Sequence, residues 1–306
     1  MVYLAPEFKH PIIPENETYE GPDLDDGVRA VLPEGMIVKW VGTYRPSHWA
    51  VSSKIDAQLP NGSSQAYFLK VYTTKDSEGM AQGEYEGSKA LYHALPEHIP
   101  RPIAAGALMG NPSRQFYLAE FRDMDDRLPE QEEELASVVV KLHQKTQSPN
   151  GKFGFHITTY GGSHPLNTSW LVQGPDEELD RLAPLILDRV IPALLRPLES
   201  DGERKLKPVL IHGDLWHGNG AVDKRTHKPV IFDPCAFYGH NEFEFAPWRA
   251  LRYLTGREHM RAYRRLTGES EDEDEARDDR HALYALLRKY AADLQTARLA
   301  SLDHLA

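Results

Sequence analysis

Two aspartates and an asparagine stand in one stretch of the sequence with a spacing that suits phosphoryl transfer. Asp214 lies in a loop after an apolar segment, Asn219 follows five positions later, and Asp233 ends the next apolar segment. In phosphoryl-transfer enzymes a loop aspartate orients the attacking hydroxyl, while an asparagine five residues on and an aspartate after the next strand hold Mg2+. The pattern therefore predicts a kinase-type site in which Asp214 is catalytic and Asn219 and Asp233 bind the metal.

The charge of the substrate explains why these residue types are needed. A nucleotide triphosphate carries several negative charges, so bringing it to a hydroxyl requires hard oxygen ligands that hold Mg2+ against the phosphates. Gly213 and Gly218 allow the backbone angles and close approaches that such a loop needs. The competing interpretation is a turn without chemistry, because His-Gly-Asp favours turns and Asp233-Pro234 often ends a strand.

Composition narrows the class of protein. The chain has 306 residues, which allows about two domains, and a formal net charge of -11. This charge argues against nucleic acid or an anionic membrane as partner. No apolar run of about 20 residues predicts a membrane span, and no signal-peptide pattern is present at the N-terminus. The single cysteine, Cys235, excludes an intrachain disulfide and favours a cytoplasmic location.

Strand patterns come first along the chain and helix patterns later. Residues 1–36 are rich in Pro, Glu, Asp and Gly and predict an irregular arm. Strands, with a hairpin at Pro60-Asn61-Gly62, are predicted at 37–41, 50–59, 66–71 and 116–121. Helices are predicted at 83–95, 132–146 and, interrupted by prolines, 177–198.

This order predicts an α+β, bilobal protein-kinase-like fold, with a small antiparallel-sheet N-lobe at 37–119 and a mainly helical C-lobe at 120–306. Lys70 on the third strand stands where a lysine would bind the nucleotide phosphates, and Glu84 in the next helix would pair with it. Glu86 competes for this role, because helix positions two apart point about 200 degrees from one another. Without the downstream loop, Lys70 would be interpreted as a solvated lysine at a strand end.

Several motifs resemble those of a known family. They are His-Gly-Asp-Leu-Trp-His-Gly-Asn at 212–219, Phe-Asp-Pro at 232–234, Phe-Tyr-Gly-His-Asn-Glu-Phe-Glu at 237–244, Lys-Phe-Gly-Phe at 152–155 and Gly-Glu at 83–84. Over residues 37–266 the chain resembles the fructosamine-3-kinases, also called ketosamine or protein-ribulosamine kinases. The resemblance implies phosphorylation, with ATP and Mg2+, of the sugar 3-hydroxyl of a ketosamine on free or protein-bound lysine. The phosphorylated adduct falls off, so the implied role is deglycation, a protein repair.

The resemblance also implies roles for single residues. Asp214 would be the catalytic base or hydroxyl-orienting group, Asn219 and Asp233 the Mg2+ ligands, and Lys70 with Glu84 the phosphate-binding ion pair. The remaining ATP contacts would come from the loop that starts at Gly42 and from the backbone of a hinge at Glu120 and Phe121.

Candidate contacts to the substrate lie on both sides of the metal aspartate. The Trp216 indole could stack on a sugar face or an alkylammonium group, or could pack in the core under the loop. His240, Glu242 and Glu244 could line the substrate side of the cleft, where carboxylates would attract a protonated ketoamine nitrogen. The alternative for this segment is structural, with Asn241 capping the next helix.

Two other functions stay open. A small-molecule alcohol kinase of the aminoglycoside or choline kinase type would use the same metal residues. A catalytically weak ATP-binding pseudokinase is the other, because residues 42–49 contain one glycine where a phosphate-covering loop is usually glycine-rich. The loop also lacks the cysteine that links two chains in some relatives, so a monomer is favoured.

The C-terminal part contains an acidic run and an amphipathic segment. Residues 269–280 predict a solvated linker because of their charge. Residues 281–300 predict a helix with an apolar stripe, which would pack on the helical lobe or bind a partner.

Overall fold

A six-stranded antiparallel sheet forms the first part of the computed structural model, which describes residues 20–21, 23–46, 49–125, 127–166, 186–200, 206–269 and 277–288. Its spatial order is β1-β2-β3-β4-β6-β5. The strands are β1 Glu20–Gly21, β2 Ile37–Pro46, β3 Ala50–Gln58, β4 Ser64–Tyr72, β5 Pro102–Ala107 and β6 Gln115–Glu120.

The hairpin that joins β3 and β4 confirms the prediction made from Pro60-Asn61-Gly62. Gly62 has φ +84, and the Asn61 side chain accepts a hydrogen bond from the backbone N–H of Ser63 at 3.0 Å. The register places Ser52 opposite Lys70, so both side chains lie on the same face of the sheet. The turn thus determines which face receives the lysine.

One strand prediction in this part was wrong and one strand was missed. The first strand does not end at residue 41, because β2 continues through two register shifts to Pro46 while paired with β3. Gly42 therefore lies within a strand, opposite Lys54, and not in a loop. The proline-containing passage before β6, for which no strand was predicted, forms β5 at the sheet edge. Pro102 is tolerated there because it is the first residue of an edge strand.

The predicted arm is packed on the sheet in its described part. A short helix, α1 Asp26–Arg29, buries Val28 completely. The Asp25 carboxylate caps this helix and also accepts hydrogen bonds from the backbone N–H groups of Met109 and Gly110, both at 2.9 Å. Residues 1–19 and 22 lie outside the described residues. Within the predicted irregular arm, residues 26–29 therefore form a helix.

The helix between β4 and β5 starts earlier than predicted. Helix α2 runs over Ser77–Ala94, although the predicted start was residue 83. Glycines at 79 and 83 weaken the helical propensity of its first turns. Both are needed for packing, since a Cβ on Gly79 would lie 2.4 Å from the Tyr160 hydroxyl oxygen and one on Gly83 would lie 2.8 Å from the Thr158 carbonyl oxygen. Tertiary contacts therefore outweigh local propensity here.

Helices and short strands form the rest of the described chain. The predicted helix at 132–146 is confirmed as α3 Glu132–Lys145, with Leu135, Val138, Val139 and Leu142 fully buried in the largest core cluster. The other helices are α4 Ile191–Ser200, preceded by the π-helical turn Ile186–Val190, and α5 Arg257–Thr267. The strands are β7 Met124–Asp125, β8 Thr159–Gly161, β9 His164–Leu166, β10 Val209–Ile211, β11 Gly220–Asp223, β12 Pro229–Ile231 and β13 Phe237–Gly239.

A last helix, α6, covers residues 277–288. Its start contradicts the predicted solvated linker at 269–280, because Arg280 is 2% exposed and bound to a buried carboxylate, Glu242. Positions 177–185 and 289–300 of the predicted helices lie outside the described residues. Among the residues that the structure describes, no helix combines the length and apolarity needed to span a bilayer. The lobe boundary at 119/120 stays a prediction.

The packed segment before β2 allows a direct test. Val28→Ala removes two methyl groups from a fully buried site, whereas Val31→Ala acts on a residue that is 40% exposed. We expect Val28→Ala to lower the free energy of unfolding by about 1 to 3 kcal/mol, and Val31→Ala by less than about 0.5 kcal/mol. Urea unfolding measures both. Equal effects would mean that this segment does not stabilise the sheet.

Candidate active site

A buried carboxylate binds the backbone of the loop that follows β10. Glu244 is fully buried, and its oxygens accept hydrogen bonds from the backbone N–H groups of His212 at 2.6 Å and Gly213 at 3.1 Å. The Trp248 indole N–H donates to the Leu215 carbonyl oxygen at 2.5 Å. These hydrogen bonds fix the backbone conformation of the loop independently of its side chains. The substrate contact expected of Glu244 is replaced by this supporting role.

Gly213 gives the loop its sharp turn. Its φ is +77, which favours glycine, and a Cβ at this position would lie 2.2 Å from the Cys235 carbonyl oxygen. The loop and the segment after β12 therefore approach more closely than any side chain would permit. Cys235 is buried, and burial raises the pKa of its thiol to about 12, so it behaves as a small buried hydrophobe.

The three polar residues predicted from the loop spacing meet in space. The Asn219 amide nitrogen donates to the Asp214 carbonyl oxygen at 2.8 Å, and lies 3.4 Å from both the Asp214 Oδ2 and the Asp233 carbonyl oxygen. Its amide oxygen is thus left as the atom that can bind a cation. The antiparallel pairing of β11 with β12, from Gly220 opposite Ile231, brings the two segments together.

Asp233 is held in a left-handed backbone conformation, with φ +57. Aspartate tolerates this region better than most residues, because its short polar side chain hydrogen-bonds locally. Such backbone strain is concentrated at functional sites, where the surrounding structure maintains it. The side chain is about half exposed, so it can reach a bound ligand.

A buried lysine from the sheet completes the cluster. The Lys70 ammonium lies 2.9 Å from the Glu84 Oε2 and 2.7 Å from the Asp233 Oδ1, which is 163 positions away in sequence. Glu84 also accepts a hydrogen bond from the Tyr72 hydroxyl. Glu86 faces away and pairs with Lys89 at 3.4 Å. The structure therefore favours Glu84 over Glu86 as the partner of Lys70.

Burial and neighbouring charges shift the titration of these groups. Burial alone would lower the pKa of Lys70, but the adjoining carboxylates of Asp233 and Glu84 raise it above its ordinary value. Burial raises the pKa of Glu84. Burial also raises the pKa of Asp214 to about 6, while the Arg288 guanidinium acts in the opposite direction. The site is thus a partly buried set of strongly interacting charges.

The donor set fits Mg2+ held together with phosphates. Within the described parts of the chain, no three His, Cys, Asp or Glu side chains cluster as a metal site. Mg2+ usually takes only one or two protein ligands and completes its shell with water and phosphate oxygens. An amide oxygen on Asn219 and a carboxylate on Asp233 are hard ligands of that kind. The geometry is therefore compatible with a metal that arrives with a nucleotide.

A cavity lies beside the predicted hinge. Its volume is about 520 Å³, and both Glu120 and Phe121 line it. The other lining residues are Lys54, Ala66, Arg122, Asp123, Asp223 and Arg225. Gly42, by contrast, lies within β2, so the phosphate contact predicted for it would have to come from a strand. Both ATP contacts stay predictions.

The residues predicted on the substrate side divide into two groups. Trp216 is half-buried beside Asp214, with its ring 5.1 Å from that of Tyr253. His240 and Glu242 instead contact helix α6: the His240 Nδ1 lies 2.8 Å from the Tyr284 hydroxyl, and Glu242 is buried against Arg280. Because its charge is already compensated, Glu242 has a structural role. Asn241 does not cap the following turn, since His240 occupies that position.

Arg288 is the main contact that the sequence did not predict. Its guanidinium donates to the Asp214 Oδ1 across 74 positions. The available signal was the spacing of Arg280, Tyr284 and Arg288, which places one polar side chain per helical turn on a single face. The prediction for this segment used only its apolar stripe and not its polar face.

Known proteins share sequence with this chain. The family model described as "Fructosamine kinase" matches residues 50–173 and 186–294. The chloroplastic protein-ribulosamine 3-kinase of Oryza sativa subsp. japonica is 29% identical over 238 residues, covering 72% of this chain and 66% of that protein. The chain spans between about half and two thirds of the length of such curated relatives.

Solved structures share the fold. A fructosamine-3-kinase structure from Thermobifida fusca YX-ER1 has a TM-score of 0.58 at 21% identity and covers 89% of this chain and 98% of its own. A thermostable mutant of the aminoglycoside phosphotransferase APH(4)-Ia, in complex with AMP-PNP and hygromycin B, has a TM-score of 0.51 at 16% identity and covers 86% and 89%. The prediction of an α+β protein-kinase-like fold is confirmed.

The tight turn at Gly213 can be tested against a turn with open space. Gly213→Ala combines a left-handed φ with a clash against the Cys235 backbone, whereas Gly62→Ala has φ +84 and nothing within 4 Å. We expect Gly62→Ala to cost about 1 to 2 kcal/mol of unfolding free energy from the backbone conformation alone, and Gly213→Ala clearly more. Urea unfolding of both variants gives the difference. A cost at Gly213 no greater than at Gly62 would contradict the close approach.

Proposed function

The chain belongs to the fructosamine kinase family, and on that premise we propose that it transfers the γ-phosphoryl group of ATP to the 3-hydroxyl of ketosamines. The observation that carries the proposal is the meeting of Asp214 and Asn219 with Asp233, and of Asp233 with Lys70. These groups are the ones that positioning of a nucleotide and activation of a hydroxyl require. The acceptor would be a fructosamine or ribulosamine on lysine, and similarity to the rice protein-ribulosamine 3-kinase supports that class.

Each residue has one task in this proposal. Lys70, held by Glu84, binds phosphate oxygens, and its burial makes that charge effective. Asn219 and Asp233 would hold Mg2+, which when bound supplies positive charge against the phosphates. Asp214 accepts a hydrogen bond from the acceptor hydroxyl and directs its lone pair toward the γ-phosphorus. The cavity beside Glu120 and Phe121 is where the adenine would lie.

The substrate side accounts for recognition of the adduct. Trp216 lies two positions after Asp214 and is half-buried, with its ring packed near Tyr253 and Gly218, and its exposed part could contact a sugar or an alkylammonium group. A ketosamine carries both groups, since its sugar is bound to a protonated amine. Phosphorylation at the 3-hydroxyl creates an adduct that falls off the lysine, so the proposed outcome is deglycation of free lysine or of protein.

A second candidate is phosphorylation of another alcohol. The fold is shared with an aminoglycoside phosphotransferase that was solved with AMP-PNP and hygromycin B. The polar cluster around Asp214 does not by itself select the acceptor, because the chemistry at the hydroxyl is the same. A comparison of acceptors in one assay distinguishes the two candidates.

The proposal includes a cytoplasmic monomer. A single buried cysteine, Cys235, supports a reducing compartment. The name of the rice relative places that protein in the chloroplast, so cell fractionation is the direct measurement. Size-exclusion chromatography with light scattering measures the number of associated chains.

The reaction type is tested by mass spectrometry of a ribated or fructosylated lysine peptide incubated with the protein, ATP and Mg2+. We expect the peptide to gain one phosphate group, and Asp214→Asn to lower that rate by about 10³-fold or more, because the acceptor hydroxyl loses its orienting carboxylate. Kanamycin, hygromycin B and choline serve as comparison acceptors. Turnover of these alcohols without turnover of the peptide would contradict the proposal.

The Lys70 ion pair is tested by a matched pair of variants on α2. Glu84→Gln removes the charge that holds Lys70, whereas Glu86→Gln removes one that pairs with Lys89 near the surface. We expect Glu84→Gln to lower kcat/KM for ATP by about 10- to 100-fold and Glu86→Gln to change it by less than about twofold. Steady-state kinetics with varied ATP measures both. Equal losses would show that Lys70 does not depend on Glu84.

A further inference from the structure

One face of helix α6 carries three polar side chains in a row. Arg280, Tyr284 and Arg288 are spaced four residues apart, so they lie on the same side over about 12 Å of helix axis. Their partners are Glu242, His240 and Asp214. The row therefore extends from the segment after the metal aspartate to the catalytic loop.

The first contacts anchor the helix. The Arg280 Nε and Nη2 donate to the two Glu242 oxygens at 2.7 and 2.6 Å, and both side chains are buried. The planar fork of arginine suits this bidentate pairing and fixes the rotation of the helix. The Tyr284 hydroxyl contacts the His240 Nδ1 one turn later. The contacts of Arg280 and Tyr284 therefore determine the orientation of α6, and this orientation positions Arg288.

The last contact reaches the proposed catalytic carboxylate. The Arg288 guanidinium donates to the Asp214 Oδ1, and the two side chains are 26% and 15% exposed. Asp233 and the buried Glu244 bring further negative charge close to Asp214. Lys70 compensates Asp233 and Glu84, so Arg288 supplies the positive charge on the Asp214 side of the site.

We propose that Arg288 is a positioning residue for phosphoryl transfer: it holds one oxygen of the Asp214 carboxylate and thereby directs the other oxygen at the acceptor hydroxyl. This inference deepens the proposed function and rests on it. The Asp214 Oδ2 is on the side of Asn219, at 3.4 Å from its amide nitrogen, where the nucleotide and acceptor would meet. A guanidinium suits this task because its donors are fixed in one plane.

The test compares the kinetics of the full chain with those of Arg288→Ala and Arg288→Lys. With the ribated peptide as acceptor, we expect Arg288→Ala to lower kcat by about 10- to 100-fold, with KM for ATP changed by less than about twofold, because a misdirected carboxylate slows the chemical step and leaves nucleotide binding intact. Arg288→Lys should recover part of the loss. Added methylguanidinium should recover part of the rate in Arg288→Ala, and none in Asp214→Asn.

Arg261→Ala is the matched control, because Arg261 is half exposed and pairs with Glu258 on α5. It should leave kcat and KM unchanged. An Arg288→Ala kcat equal to that of the wild type would overturn the inference, and a higher kcat would show that the arginine blocks the site. A parallel loss of thermal stability and ATP affinity, without rescue, would assign Arg288 a structural role only.

The same assay separates this inference from the proposed function. If the wild type phosphorylates no ketosamine peptide, the proposed function fails, and the effect of Arg288 is then measured on the accepted alcohol or on Mg2+-dependent ATP hydrolysis. Asp214 would orient water in that reaction as it orients a hydroxyl. A rate ratio near one between Arg288→Ala and wild type would still overturn the inference.

Discussion

The Lys70 ammonium connects the two parts of the molecule. It comes from the sheet, is held by Glu84 on α2, and reaches Asp233 after β12. A buried ammonium is costly unless carboxylates surround it, so the sheet and the segment after β12 are stabilised in one relative arrangement. The hairpin between β3 and β4 sets the face on which the lysine emerges, and the glycine-containing first turns of α2 bring the glutamate to it. Both features serve this one contact.

A second layer of interactions supports the loop that carries Asp214. Glu244 binds the loop backbone, and Glu242 binds Arg280 on α6, so two acidic residues of one short segment support the site from opposite sides. Neither needs to touch a substrate to influence the reaction. The segment after Asp233 therefore connects the loop with α6, and its carboxylates have structural partners of their own.

The sequence predicted what is local and missed what depends on tertiary packing. Asp214 and Asn219 were found because they share one loop, and α3 because its apolar spacing is regular. Glu84 was assigned through the family resemblance and does contact Lys70, whereas helix periodicity alone could not exclude Glu86, because it does not contain the rotation of α2 against the sheet. The first turns of α2 were concealed by glycines whose value lies in close packing, and the pairing of Arg288 with Asp214 joins residues 74 positions apart. Charge alone suggested a solvated linker where Arg280 is in fact buried.

The left-handed backbone at Asp233 has a consequence for sequence variation. Its φ of +57 favours glycine, asparagine and aspartate at this position on conformational grounds alone. Asparagine would satisfy the turn while removing the negative charge, and Lys70 would remain neutralised by Glu84. Asp233→Asn, which exchanges one side-chain oxygen for a nitrogen, would therefore preserve the fold while removing the proposed metal-binding charge. An inactive relative could therefore arise by this single replacement with little loss of stability.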